Sequence, residues 1–482
     1  MWYGEGNWEG RVAIFLPYDQ AQGVFRPIIP NDLLEPDHPA RIVDKVVEML
    51  DLSGIYGWYK NEGNQPYHPR MMLKVLFYSY LMGMMSSRKM WDGLKRRADY
   101  IFLSGDQVPD FRTLNSFRSR HMEQLPQLFA QIVHLCKKLG MIDFKYLAID
   151  GQKIQADASY RRSKTKKRLR QSMNRVTEGM KKLLAKEVSE DFPAELKEKR
   201  LAELERQEKQ LLGLKELLED IHDEDANLNM SDPDAKVMRH KDGRSLPSYN
   251  HQSAIDGKYG ISCAVKTEDR CDAAEDLLEL VDAAKENSGG EHENVMADSA
   301  FCDYEVLEKV EEQRSEEYYV PDARFATADK EETGKGKFEG SRFEKRGDGT
   351  IVCPAGHPMA FKREEEQPQG HTISKYEGSG CESCELHEKC TKAKKRTLSV
   401  DSREPYRELM REKLRSDKGR EIYMKRQWIV ETCHGDDQKN KGWRQHLLRG
   451  KAKAALEFML LRIGANLGKI VRYRASELLV MT

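Results

Sequence analysis

One change of periodicity constrains the fold more than any other feature of the sequence. Residues 144–151 read FKYLAIDG, a short apolar run closing on Asp150 and Gly151, and residues 292–298 read HENVMAD, a second such run closing on Asp298. Apolar runs of this length bounded by turn residues suit buried strands. Further strand signals fall at 153–157, 248–254, 261–265 and 317–320, and helical spacing at 273–281 and 304–313. The order strand, strand, strand, helix, strand, helix, strand implies a mixed sheet with helices on its faces, an α/β core. A single aspartate at a strand end is most simply a capping residue. Two of them, remote in sequence and closing strands that would lie side by side, point instead to a site assembled from strand termini.

The core is expected over 141–321 and again over 409–482. Residues 1–30 are aromatic, Gly-rich and without period. Residues 31–140 read as a helical domain: Ile42, Val46, Val47 and Leu50 fall at helical spacing, and 71–85 is a nearly continuous apolar helix started by Pro69. After a turn at Pro109 and Asp110, a helix from Phe111 buries Leu114 and Phe117 and is expected to turn Arg112, Asn115, Arg118 and Arg120 outward. Such a basic face suits DNA backbone or groove contact, and equally an ordinary solvated surface. Residues 163–225 read as a helical hairpin around Pro193 inserted into the sheet domain, preceded by a stretch, 161–170, in which seven of ten residues are basic.

Charge must be read locally here. The 482 residues carry 80 Lys+Arg against 80 Asp+Glu, a net charge of zero that excludes a uniformly basic nucleic-acid coat. Basic clusters nonetheless stand at 88–97, 161–170 and 439–453, set against acidic stretches such as 305–317. No run approaches the roughly 18 apolar residues of a membrane span, and the first ten residues lack a charged and then apolar leader, so a cytoplasmic protein without membrane contact is expected. Four of the nine cysteines, Cys353, Cys381, Cys384 and Cys390, crowd into the Gly-, Lys- and Glu-rich stretch 322–408. In a reduced compartment they fit a tetrahedral structural Zn²⁺ site, with His357 and His387 as alternative ligands, or else a set of free thiols. Cys136, Cys263 and Cys302 sit in apolar contexts and read as small hydrophobes. Neither a Walker motif nor a Gly-x-Gly-x-x-Gly after a strand is present, which leaves ATP-driven chemistry unsupported.

A third acid would complete a metal-binding set with Asp150 and Asp298, and Glu431 is the candidate. It lies on a helix whose Tyr423, Arg426 and Val430 share roughly one face, with Glu431 beside it. Three convergent carboxylates repel one another without a cation. They suit Mg²⁺ or Mn²⁺, hard ions that take oxygen ligands, and two such ions can activate a water and stabilise the leaving oxygen of a phosphodiester. Lys439, Lys441, Arg444, Arg449, Lys451 and Lys453 follow closely, as phosphoryl transfer on a polyanion requires.

These residues carry a resemblance. Residues 109–113 (PDFRT), Phe117 and Arg118, the strand ending AIDG, residues 249–252 (YNHQ), residues 297–301 (ADSAF), residues 423–431, and 448–450 (LRG) through Leu467 are similar to the insertion-sequence transposases of the DDE class. The likeness runs from about Tyr18 to Ile470. It implies a ribonuclease-H-like catalytic core with an N-terminal all-α DNA-binding domain, an inserted hairpin and a zinc-ribbon-like Cys-rich insertion. It makes Asp150, Asp298 and Glu431 the metal-binding triad, and gives Tyr423 and Arg426 the family's DNA-holding positions. Where the family carries a lysine this chain has Gln438, with Lys439 next to it, and His434 replaces the usual aromatic. The activity implied is cleavage at terminal inverted repeats followed by strand transfer into target DNA, by a dimer or larger assembly associated with a prokaryotic nucleoid. A structure-specific nuclease of the same fold, and a DNA-binding derivative without catalysis, are the competing readings.

Overall fold

The computed structural model describes residues 7–8, 11–12, 29–59, 65–185, 194–219, 227–271, 273–323, 325, 338, 342–347 and 350–480. Most of the stretch 1–30 and the hairpin turn at Pro193 lie outside the described residues.

The chain opens with six principal helices: α1 (Pro39–Met49), α2 (Pro69–Leu81), α3 (Ser87–Arg96), α4 (Ala98–Ser104), α5 (Phe111–Arg120) and α6 (Leu125–Lys138). Prolines in the first turns of α1, α2 and α6 cost no hydrogen bond there, and Asp110 caps α5 by accepting from the amides of Arg112 and Thr113. Period two begins at β1 (Tyr146–Gln155). Two long helices follow, α7 (Lys166–Ala185) and α8 (Ala194–Glu219). They are held by Leu169, Leu214 and Leu228 and clasped at the base by antiparallel pairing of Ser163–Thr165 with Asn227–Asn229. The sheet is then completed by β2 (Lys236–Arg239), β3 (Ser245–Asp256) and β4 (Ser262–Glu268), by β5 (Asn294–Met296) after helix α9 (Asp276–Ser288), and by β6 (Glu317–Tyr319) after α10 (Tyr304–Gln313).

The six strands run in the order β6-β5-β1-β3-β2, with β4 also paired to β3. The β6-β5 and β5-β1 pairs are parallel, while the pairs made by β3 are antiparallel. The sheet is therefore mixed, as expected, with two differences. The segments 144–151 and 153–157 are not two strands but one, because Gly151 continues the ladder opposite Gln252. A β-carbon at Gly151 would lie 3.1 Å from Asn250 Oδ1, so glycine serves close cross-strand approach rather than a turn. Strand β2 was not anticipated; it is a short, mostly exposed edge whose pattern carries little hydrophobic signal.

A separate antiparallel sheet, β7 (Met359–Glu366), β8 (Thr372–Gly378) and β9 (Thr397–Asp401), has its own small core of Phe343, Ile351, Met359 and Leu398. The chain then returns through α11 (Glu404–Arg415), α12 (Asp417–Gly435), a π-helical turn at Asp436–Asn440, and α13 (Lys451–Val480).

Helix α13 joins the two ends of the molecule. Its Leu456, Phe458, Leu460, Leu461, Ile463 and Leu467 belong to one continuous core with α1, α2, α6 and the large sheet. At its crossing with α2, a β-carbon on Gly464 would fall 2.7 Å from the backbone of Tyr80. We expect Gly464→Ala to force the two helices apart and to lower stability by about 1–3 kcal/mol, read as a fall in the urea midpoint. An unchanged midpoint would show that the crossing tolerates a methyl group.

Candidate active site

Strand register brings the two aspartates together. Ala148 on β1 lies opposite Met296 on the parallel strand β5, and Asp150 and Asp298 stand two residues further along each. Asp298 lies just past the end of β5. Its Oδ1 accepts from Ala300 N at 3.0 Å, which caps the following 3-10 turn and leaves Oδ2 facing the neighbouring strand. The capping role and the site role thus fall on different oxygens of one carboxylate.

Helix α12 supplies the counter-charge. Ser416 caps its start by accepting from Gly419 N, and Ile422, Val430 and Cys433 bury one face. Arg426 lies on that face, half-buried, with Nη2 2.9 Å from Asp150 Oδ1 and 3.6 Å from Asp298 Oδ2. One guanidinium therefore serves two carboxylates. Burial and the neighbouring Asp150 push the Asp298 carboxyl above its ordinary range, with Arg426 opposing them. Tyr423, one turn earlier, has its phenol raised by burial beside Arg426.

His434 is a member of this group that sequence reasoning noted only as a departure. Its Nδ1 stands 3.4 Å from Asp150 Oδ2. Burial, helped by Arg462, lowers its pKa to about 4, so the imidazole is neutral at physiological pH and meets the carboxylate as a dipole. Its position one turn beyond Val430, on the buried face of α12, was the available signal.

Glu431 is placed differently. It is exposed on α12 and accepts from Gln427 Nε2 at 2.9 Å, turned aside from the aspartate pair. Among the described residues no group of three or more His, Cys, Asp or Glu side chains is disposed to hold a metal ion. The aspartate pair alone fits a divalent cation: two hard oxygen donors, one disfavoured as an anion by its neighbour, already gathered around a positive group.

The segment after α12 is tied to β1. Gln152, two residues beyond Asp150 on the same strand face, donates to Asp437 Oδ2 at 3.2 Å, and Asp437 forms a fully buried ion pair with Arg462 of α13. Gln438 Nε2 meets Gln152 Oε1 at 3.4 Å, whereas Lys439 is exposed on the π-helical turn.

Two expected DNA-facing arginines separate here. Arg112 is exposed on α5, but Arg118 is buried, donating to Tyr80 Oη at 2.8 Å and Asn115 Oδ1 at 2.7 Å, with Glu457 at 3.9 Å. The expectation that Arg118 faces outward is corrected: it lies four residues after buried Leu114, on the same helix face. Cys353, Cys381, Cys384 and Cys390 line one small cavity of ≈ 20 Å³, together with His357 and His387. Burial raises the Cys390 thiol, Arg396 opposes this, and the other three thiols add to the rise.

Residues 352–471 match the family described as the transposase DDE domain, and residues 29–120 match a transposase domain (DUF772). The first match contains Arg426 and Glu431. Neither contains Asp150 or Asp298, whose pairing rests on strand register. No curated protein sequence matches the chain. Both matches support an insertion-sequence transposase of the DDE class. Among the described residues no helix is long and apolar enough to cross a membrane.

If Asp298 is held against its charge by Asp150, neutralising it should help the metal-free protein. We expect Asp298→Asn to raise the melting temperature in chelator, and Mg²⁺ to raise the melting temperature of the parent but not of the variant. A less stable variant, with no Mg²⁺ response in the parent, would count against a cation between these carboxylates.

Proposed function

We propose that the protein is a DNA transposase that cuts DNA at the ends of its insertion sequence and joins those ends to target DNA. The observation carrying this reading is the convergence of Asp150, Asp298 and Arg426 at neighbouring parallel strands, on a helix that also bears Glu431. The core is proposed to be ribonuclease-H-like over residues 141–321 and 409–482, with the helical DNA-binding part at 31–140, the inserted hairpin at 163–225 and a zinc ribbon within 322–408.

Asp150 and Asp298 would hold Mg²⁺ or Mn²⁺, with Glu431 brought in as the third acid when DNA and metal are present. Such ions, when bound, lower the pKa of water and neutralise charge at phosphorus. The chain's own residues do the rest. Arg426 keeps the carboxylates together and stands within reach of a phosphate, Tyr423 packs beside it, and neutral His434 orients Asp150 without competing as a cation. Lys439 and Arg112 are proposed to contact the DNA backbone.

In the first step a water oxygen bonds to phosphorus, the bond from phosphorus to the 3′-oxygen breaks, and that oxygen takes a proton to become a hydroxyl. In the second step this 3′-oxygen bonds to a target phosphorus and loses its proton, while the target 3′-oxygen leaves. Each step exchanges one P–O bond for another, so no nucleotide hydrolysis is needed. Both ends must be present together, which favours a dimer or larger assembly.

The test is labelled terminal-repeat DNA incubated with Mg²⁺ and target DNA. Cleavage and joining are expected in the parent, with losses of at least about 100-fold in Asp150→Ala and Glu431→Gln. Cleavage without joining would identify a nuclease instead, and equal activity in the variants would remove the triad.

The thiol cavity is proposed to take one structural Zn²⁺, supported by the soft donor set on two tight turns, at Cys353 to Gly356 and Cys381 to Cys384. Metal analysis of purified protein should find zinc. Its absence, with no loss of fold on chelation, would leave four free thiols.

A further inference from the structure

The arm formed by α7 and α8 is long for the core it encloses. Among the described residues it buries only Leu169 and Leu214, which join Leu228 at the base in a cluster separate from the main core. Met173, Val176 and Leu218 pack there half-buried. Helices in proteins draw most of their stability from tertiary packing, so an arm with so thin a seam gains from a surface that covers it.

One face of the arm is suited to be covered. On α8, Leu201, Glu205, Glu208 and Leu212 follow at spacings of four, three and four, a single exposed stripe. On α7, Asn174, Thr177, Lys181 and Leu184 follow at three, four and three. One step further toward the base, the stripes reach Lys215 and Arg170, which with Asn174 line an open groove of ≈ 510 Å³. Both stripes therefore belong to one broad face. Two contacts fix the levels along the arm. Toward its far end Arg200 Nη2 donates to Leu183 O, which sets Leu184 beside Leu201. Nearer the middle, a β-carbon on Gly179 would lie 3.3 Å from Gln207 Oε1, which sets Lys181 level with Glu205. Leu184 and Leu201 are 64 and 60 % exposed, so the far end of this face is an uncovered apolar patch.

Charge says what fits over it. Helix α7 carries seven Lys or Arg against one Glu, whereas the facing stripe of α8 presents Glu205 and Glu208. Such an arm is complementary to its own copy. A two-fold axis along the arm lays α7 of one copy over α8 of the other, so that Lys181 meets Glu205 and Leu184 meets Leu201, twice each. An axis across the arm would instead set α7 on α7, basic on basic, at a cost. A polyanion would meet the two glutamates on the same face, which a second copy turns to use. Helix α7 has 20 residues and so spans about 30 Å, and two adjoining helices are about 20 Å wide. Pairing would bury about 600 Å² per copy, about 1,200 Å² in all, the lower end of specific interfaces.

We infer that two copies of the chain pair through this face of the arm, far ends together, with Lys181 against Glu205 and Leu184 against Leu201. The inference rests on the proposed assembly of two copies and names the surface that makes it; it needs neither metal nor catalysis.

The test is sedimentation velocity of the full chain without DNA over a wide range of concentration. The parent is expected to pass from monomer to dimer as concentration rises. Lys181→Glu alone and Glu205→Lys alone should each weaken pairing about tenfold or more, since each sets like charges together at two symmetric places. Mixed in equal amounts, the two variants should recover it, because each then offers the charge the other lacks. Leu184→Gln with Leu201→Gln should weaken pairing at least about tenfold, with no recovery on mixing with either charge variant. Unaltered melting temperatures control for folding, and a change in the arm's own stability cannot give recovery on mixing. A parent that stays monomeric overturns the inference, as does pairing that charge reversal leaves unchanged or that mixing fails to restore. Pairing seen only after duplex DNA is added would give this face to nucleic acid and likewise overturns it. If a parent that is monomeric without DNA still cuts and joins terminal-repeat DNA, the arm contact falls and the catalytic reading stands; if mixing restores pairing but no DNA is cut, the reverse holds.

Discussion

The parallel pairing of β1 with β5 is the constraint from which the candidate site follows. It puts two carboxylates on adjacent strands at the same level, where burial and the neighbouring Asp150 push the Asp298 carboxyl above its ordinary range, and the surrounding structure answers that repulsion. Helix α12 is buried along Ile422, Val430 and Cys433, so that Arg426 arrives between the acids while its polar neighbours face solvent. The π-helical turn beyond it lets Asp437 turn inward to Arg462 and Gln152. Such turns interrupt regular helices where side chains must be re-aimed. A local electrostatic conflict is thus resolved by a helix from the far end of the chain, which makes sheet and C-terminal helices one unit.

A second set of buried polar groups links the helical region to the sheet. His446 contacts Glu457 at 2.8 Å and His251 at 2.8 Å, while Arg118 of α5 lies 3.9 Å from Glu457. Burial lowers the pKa of His251 well below the ordinary range, so it is neutral and acts as a hydrogen-bonding group. Buried polar groups of this kind are costly if left unpaired, and they favour one arrangement of helices over close alternatives.

Much of this was legible in the sequence, for physical reasons that differ by element. The strands ending near Asp150 and Asp298 were visible because buried parallel strands are almost wholly apolar. Arg426 and Tyr423 were visible because they recur one turn apart beside Glu431. The continuity of β1 through Gly151 was hidden, since glycine after aspartate reads locally as a turn and only the cross-strand neighbour Asn250 explains it. Arg118 was misjudged by residue type: a guanidinium reads as surface until Tyr80, Asn115 and Glu457 are seen around it. The orientation of Glu431 depends on a rotamer and on its neighbour Gln427, and no spacing rule reaches that far.

The crossing of α13 over α2 at Gly464 has a consequence for how such a protein can change over time. Where a domain is joined by a linker, it can be exchanged wholesale between relatives. Here α1, α2 and α6 share their core with α13 and the sheet, so an exchanged N-terminal segment would bring surfaces that do not fit its new host. Change in this part must therefore arise through substitutions on exposed faces, one side chain at a time, while the helices beneath them stay fixed.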